Sequence, residues 1–172
     1  MPDYSQAMDE HAPSLSGSAG LTITVADPAG EEARACLLRY FGELQQRFDS
    51  GFDPAASVSA NPEELVPPSG WFLLARLDGV AAGCGALKVL GGGVGELKRM
   101  WVAPGVRGLG IARRLLAALE EQAHGAGLAL LRLDTSRHLP EAHALYVCSG
   151  YVEIAAYNDN PYADHWFEKR LL

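Results

Sequence analysis

The chain has 172 residues, of which 48% are apolar and 20% charged, with a formal net charge of −7. This fits one globular domain with a substantial core. The acidic balance argues against nucleic-acid binding, which needs a basic surface; no apolar run is long enough to span a bilayer, and the N-terminus lacks the basic-then-apolar pattern of a signal peptide.

Residues 1–20, rich in Pro, Ser, Gly, Asp and Ala and without periodicity, read as a flexible tail before a single domain over 21–172. Leu21, Ile23 and Val25 alternate with threonines, the pattern of a half-buried strand. Asp27-Pro28 then offers an N-cap and a first helical proline. Leu37, Leu38, Phe41, Leu44 and Phe48 recur at helical spacing, so the helix should run to about Phe48. Residues 49–70 carry many prolines and glycines, with one short helical turn expected at Asn61-Pro62-Glu63-Glu64. A connection this long is either a packed surface loop or part of a substrate cleft.

Residues 71–77, 80–90 and 95–102 predict an antiparallel meander, with Asp78-Gly79 as a hairpin turn and a glycine-rich turn before the third strand. A helix is expected over 108–124, a strand parallel to the preceding one over 128–134, a shorter helix over 139–148, and strands over 151–157 and 165–171. A strand, crossover helix and parallel strand form a right-handed unit. The cysteines Cys36, Cys84 and Cys148 form no CxxC pair and read as reduced, mostly buried thiols of a cytoplasmic protein. The five histidines show no zinc spacing, so no metal site is expected, although His165 could border an acceptor site.

The chemistry gathers between Met100 and Leu116, where a strand ends in a glycine-rich turn that opens a helix. A helix start carries unpaired N–H groups and a partial positive charge. Gly108 and Gly110 leave that backbone bare, and Arg107 adds a full charge. Together they suit an anion such as phosphate or pyrophosphate. A dinucleotide fingerprint is ruled out, because Arg113 stands where the third small residue belongs. A phosphate loop at 91–98 is ruled out too, for it lacks the Gly-Lys-Ser/Thr ending.

Arg107, Gly110 and Ala112 spell Arg-x-x-Gly-x-Ala after a strand and at a helix start. At this point the chain resembles the GNAT superfamily of acetyl-CoA-dependent N-acetyltransferases, whose pyrophosphate signature is Arg/Gln-x-x-Gly-x-Gly/Ala. Ala144-Leu145-Tyr146 on the late helix, Gly150-Tyr151 opening the next strand, and the closing run from Tyr157 to Lys169 also resemble the family, so the likeness spans 21–172. The resemblance implies an α/β (α+β) fold: a mixed, mostly antiparallel sheet of six to seven strands, helices on both faces, and one parallel splayed pair at the cofactor site.

The resemblance further implies acetyl transfer from acetyl-CoA, the cosubstrate, to a primary amine of a small molecule or peptide; no metal, nucleic acid or membrane is expected, on the histidine spacing, the acidic balance and the lack of a long apolar run. A homodimer is left open, since dimers are frequent in the family. For the cofactor it implies the backbone of Gly108, Leu109, Gly110, Ile111, Ala112 and Arg113, the charge of Arg107, and the main chain of Met100, Trp101 and Val102 paired with the pantetheine arm. Where many members place an asparagine, this chain has Thr135 and Ser136; the Ser136 hydroxyl stands in for it. Some members use a glutamate as base at the place of Glu96. Strand alternation puts Glu96, Lys98, Met100 and Val102 on one face and Leu97, Arg99 and Trp101 on the other, so Glu96 could reach the cleft or be a salt-bridged strand residue. Tyr146 matches the family's proton donor to the departing thiolate. The alternatives are a non-catalytic acyl-CoA sensor and a nucleotide-binding protein. The acceptor pocket is expected to use 49–70 and 158–164, whose acidic residues would favour a cationic amine.

Overall fold

The computed structural model describes residues 20–58 and 60–171, so the expected tail lies outside the described residues except for Gly20. The strands are β1 (Leu21–Val25), β2 (Gly70–Leu77), β3 (Val80–Gly91), β4 (Val94–Val102), β5 (Leu130–Thr135), β6 (Val152–Ile154) and β7 (His165–Arg170). The helices are α1 (Glu31–Arg47), α2 (Ile111–Gly125) and α3 (Pro140–Cys148). One seven-stranded sheet runs in the order β1-β2-β3-β4-β5-β7-β6. Its neighbours are antiparallel except β4 and β5. The expected fold class is therefore observed.

The parallel pair governs the rest. β4 and β5 pair only from Val94↔Leu130 to Glu96↔Arg132. Beyond Glu96 the two strands part, while β4 stays paired to β3 as far as Val102↔Gly83. Leu115, Leu116 and Leu119 of α2 pack with Leu133, Tyr146 and Phe167, placing α2 and α3 on one face. Each fully buried leucine contributes roughly 1.5–3 kcal/mol. Ala33 and Cys36 of α1 pack with Phe72, Leu74 and Trp101 on the other face.

Several boundaries differ from expectation, each for a local reason. Asp27 does not cap α1. Its carboxylate accepts from Ala29 N at 2.9 Å, closing a tight turn, and the helix begins one turn later with Gly30 at its N-cap. The buried face of α1 runs through Ala33, Cys36 and Leu44, while Leu38 is 73% exposed. β6 stops at Ile154 rather than 157, because Tyr157 and Asn158 turn inward to carboxylates on β4 and β5. Among the cysteines, Cys36 and Cys84 are buried and Cys148 is exposed. No helix among the described residues is long and apolar enough to cross a membrane.

The 3-10 turn at Pro62–Leu65 lies hard against the start of β2. A Cβ on Gly70 would stand 2.3 Å from the Glu64 carbonyl oxygen and 2.4 Å from that of Leu87. Backbone cannot yield as a side-chain tip can, so Gly70→Ala should cost about 3 kcal/mol of unfolding free energy in urea titration, the upper end for overpacking. A loss below about 1 kcal/mol would mean the turn shifts freely.

Candidate active site

Just past the split, β4 carries a bulge. Lys98 pairs with Ala86 and Trp101 with Cys84, so Gly85 faces both Arg99 and Met100. Arg99 has φ 58, the left-handed region that a non-glycine residue enters at a cost of roughly 1–2 kcal/mol. The Cys84 thiol donates to the Arg99 carbonyl at 3.3 Å. Burial pushes that thiol well up, which keeps its proton in place.

The bulge corrects the expected alternation. Lys98 shares a face with Glu96, their charged atoms 3.0 Å apart. Arg99 lies over the Phe41 ring of α1 at 4.9 Å and Trp101 packs on the α1 side. Met100 and Val102 therefore turn to the α2 side, away from Glu96.

Two cavities meet at the split. The larger, about 510 Å³, is walled by α1, the end of β4, the glycine turn, the start of α2 and α3. Met100, Trp101, Val102, Arg107, Gly108, Gly110, Ile111, Ala112 and Arg113 line it; Leu109 does not, being 58% exposed. Gly108 and Gly110 have φ of 84 and 81, and open space where a Cβ would stand. The helix starts at Ile111 rather than 108, so the turn is longer than expected. Among the described residues no partner takes the backbone N–H groups of 108–113; the first bond is Arg114 N to Gly110 O at 3.2 Å. A bare run of donors at the positive end of a fifteen-residue helix, with two arginines beside it, suits an anion.

Glu43 of α1 organises this wall. One carboxylate oxygen accepts from Trp101 Nε1 at 2.8 Å and Arg107 Nη2 at 2.7 Å. Arg107 Nε also donates to the Val102 carbonyl at 3.0 Å, tying the turn back to β4. Across the cavity mouth, Arg47 of α1 pairs with Glu141 of α3, with Nη2 2.9 Å from Oε2. These helices pack on opposite faces of the sheet and meet through its split.

The second cavity, about 80 Å³, shares Tyr40, Leu44, Met100, Leu139 and Ala142 with the first. Tyr146 lines it. Among the described residues nothing hydrogen-bonds the Tyr146 hydroxyl, and burial raises its pKa, so it holds its proton. Tyr40 is pushed to about 12, chiefly by burial. The charged groups on this wall are Lys98, Arg99 and Asp134. Asp134 accepts from Asn158 Nδ2 at 2.7 Å and Asn160 Nδ2 at 2.9 Å.

Glu96 borders neither cavity. It is 2% exposed and accepts from the Tyr157 hydroxyl at 2.7 Å and Asn158 Nδ2 at 3.4 Å. Its other oxygen faces Lys98 at a distance set by charge rather than by a well-directed hydrogen bond. Ser136 lines the second cavity rather than the first, and its hydroxyl is taken up locally by Asp164 at 3.5 Å and His138 N at 3.1 Å. Residues 49–70 and 158–164 do contribute to the second cavity, through Phe52, Ser57, Asn160, Tyr162 and Ala163, but none of their acidic side chains lines it.

Sequence reading missed Tyr40, Glu43 and Arg47. Their spacing along one helical face was the available signal. It also missed Arg99 and Asp134. His143, Glu153 and His165, from α3, β6 and β7, gather with ligand atoms within 4.8 Å of one another, although their spacing in sequence gave no hint of it. His165 Nδ1 is paired with Glu153 Oε1 at 2.7 Å, and the three line neither cavity.

Comparison with known proteins agrees with this architecture. The family model described as Acetyltransferase (GNAT) family matches residues 37–151. An IAA acetyltransferase of Azospirillum brasilense is 42% identical over 118 residues, covering 68% of this chain and 72% of that protein. A Klebsiella pneumoniae structure described as an acyl-CoA N-acyltransferase superposes with TM-score 0.71 at 32% identity, covering 90% of this chain and all (100%) of the other. A GNAT acetyltransferase of Elizabethkingia anophelis, solved with acetyl-CoA bound, shares the fold at TM-score 0.64 and 18% identity, covering 90% of this chain and 100% of that one. The chain belongs to the GNAT acetyltransferase family and is an acyltransferase.

Proposed function

We propose that this protein transfers the acetyl group of acetyl-CoA to an amine by direct attack, as an N-acetyltransferase. The observation that carries this reading is the meeting of two cavities at the split, one lined by N–H groups and one by a tyrosine, Tyr146, whose hydroxyl, like those N–H groups, has no partner among the described residues. Acetyl-CoA supplies an activated thioester. The N–H groups of 108–113, with Arg107 and Arg113, bind its pyrophosphate. Past Glu96 the β4 edge has no β5 partner, so the main chain at Met100, Trp101 and Val102 can pair with the pantetheine arm as a strand would, apart from the Val102 carbonyl, which already accepts from Arg107 Nε.

An amine near pKa ~10.4 is mostly charged at neutral pH and cannot attack. Asp134 lines the acceptor cavity and is held by two side-chain amides, so we assign it the removal of the proton that frees the nitrogen. Glu96, which the family likeness suggests for this task, is placed one step behind. It neutralises Lys98 and fixes Tyr157 and Asn158, and Asn158 in turn holds Asp134. As the N–C bond forms and the C–S bond breaks, the attacking nitrogen loses its second proton to solvent, while Tyr146 protonates the departing sulfur and is reprotonated from solvent. Overall one proton is released per ammonium consumed.

Tyr146→Phe should lower kcat roughly a hundredfold, the range for losing a general acid, with little change in the KM for acetyl-CoA. Thiol release followed with a chromogenic disulfide reads both, and an unchanged kcat would remove Tyr146 from the chemistry. The two carboxylates separate on rate and stability. Asp134→Asn should lower kcat/KM roughly a hundredfold, the range for losing a general base. Glu96→Gln should lower stability by about 1–3 kcal/mol, because Lys98 loses its buried counter-charge, and cost at most about tenfold in kcat/KM. If Glu96→Gln cost as much rate as Asp134→Asn with the fold intact, Glu96 would be the base.

A further inference from the structure

The charges of the acceptor cavity point to the kind of amine it takes. Lys98 is neutralised by Glu96. Asp134 bonds only to neutral amides and makes no ion pair among the described residues, so its negative charge is unmatched. Arg99 is the reverse case. Among the described residues its guanidinium has no hydrogen bond and no carboxylate within ion-pair distance; it rests on the Phe41 ring. Arg47, Arg76 and Arg132, which are likewise half-buried, each have a carboxylate partner. Burial works against the Arg99 charge, and Tyr40, Asp134 and Glu64 act on it only from a distance. A half-buried guanidinium offers its fork of donors to something outside the protein.

Its placement is built. The left-handed conformation of Arg99 sends its side chain to the same face as Lys98, and the Cys84 thiol bonds the carbonyl of that strained residue. Strain held in this way concentrates at functional positions. Arg99 lines both the small acceptor cavity and an outer groove of about 870 Å³ between α1 and the 54–65 segment. Arg99 thus stands on the walls of both, whereas Asp134 lines the small cavity and not the groove.

We propose that the acceptor is a small zwitterionic amine, with its carboxylate or phosphonate bound by Arg99 and its ammonium directed to Asp134. This rests on the N-acetyltransferase reading and narrows its acceptor to one class. It also reverses the expectation of a cationic amine: the acidic residues of the surrounding loops lie off the cavity wall, and a cation with no carboxylate partner among the described residues lies on it.

The test has two arms. In the first, thiol release from acetyl-CoA is measured with amino acids, aminoalkylphosphonates, the methyl esters of the amino acids, and the corresponding amines lacking the acid. The acids should exceed their esters in kcat/KM by roughly a hundredfold, since a site built to hydrogen-bond a substrate group strongly rejects analogues without it. The better of the carboxylate and phosphonate series identifies the anion. Arg99→Gln should collapse the acid-to-ester ratio to within a few fold, and Arg99→Lys should restore part of it. Esters or uncharged amines turned over as well as the acids, or a ratio unchanged in Arg99→Gln, would overturn the proposal. In the second arm, calorimetry follows short carboxylates and alkylphosphonates without an amine binding to the CoA-loaded protein. Binding to wild type that is lost in Arg99→Gln supports the anion site even if no amine is acetylated, an outcome that would sink the transferase reading alone. No binding to wild type would overturn the anion site.

Discussion

The structure turns on the parting of β4 from β5 after Glu96. A sheet that opens in its middle leaves strand edges bare, and bare backbone groups away from water are costly. The fold tolerates the opening because it is lined rather than empty. From one face α1 brings Tyr40, Glu43 and Arg47; from the other α3 brings Glu141, Ala142 and Leu145. Helices on opposite faces of an intact sheet could not touch, yet Arg47 and Glu141 do. The split thus brings the two cavities side by side, with Tyr146 on the wall of the smaller one.

Polar residues around the opening are arranged in two hubs. Glu43 couples the Trp101 indole on β4 to Arg107 on the glycine turn, so that turn is braced against the split strand. Glu96, Tyr157, Asn158 and Asp134 form the second hub, and the Trp166 indole donates to Asn158 at 2.9 Å to hold it in place. In this hub one Glu96 oxygen takes the hydrogen bonds, and the other meets the Lys98 charge. Glu96 is deep in its hub, whereas Asp134 lies at the cavity wall, and that difference in position separates their proposed roles.

Much of the frame was legible in the residues. Alternating strands, the Asp78-Gly79 turn, the glycine turn before α2 and the short late helix all use local signals, and the local structure obeys them. What was illegible depends on distance or on a single torsion. Arg99 carries no Gly or Asn marker for its left-handed conformation, so the flip that moves Met100 away from Glu96 could not be read. The burial of Glu96 depends on Tyr157 and Asn158, which lie 61 and 62 residues away in sequence. Tyr157 and Asn158 look like strand residues until their partners are known, which is why β6 was overdrawn. In α1 the bulky Leu38 suggested a buried stripe, while small Ala33 and Cys36 make the actual contact.

The central claim is that the bare edge of β4 receives the arm of the donor while the glycine turn receives its pyrophosphate. Amide hydrogen exchange with CoA and with ADP tests this directly, because both carry the pyrophosphate and only CoA carries the arm. CoA should slow exchange at 97–102 and at 108–113, and ADP should slow it at 108–113 alone. Equal protection by the two ligands, or no added protection of β4 by CoA, would contradict it.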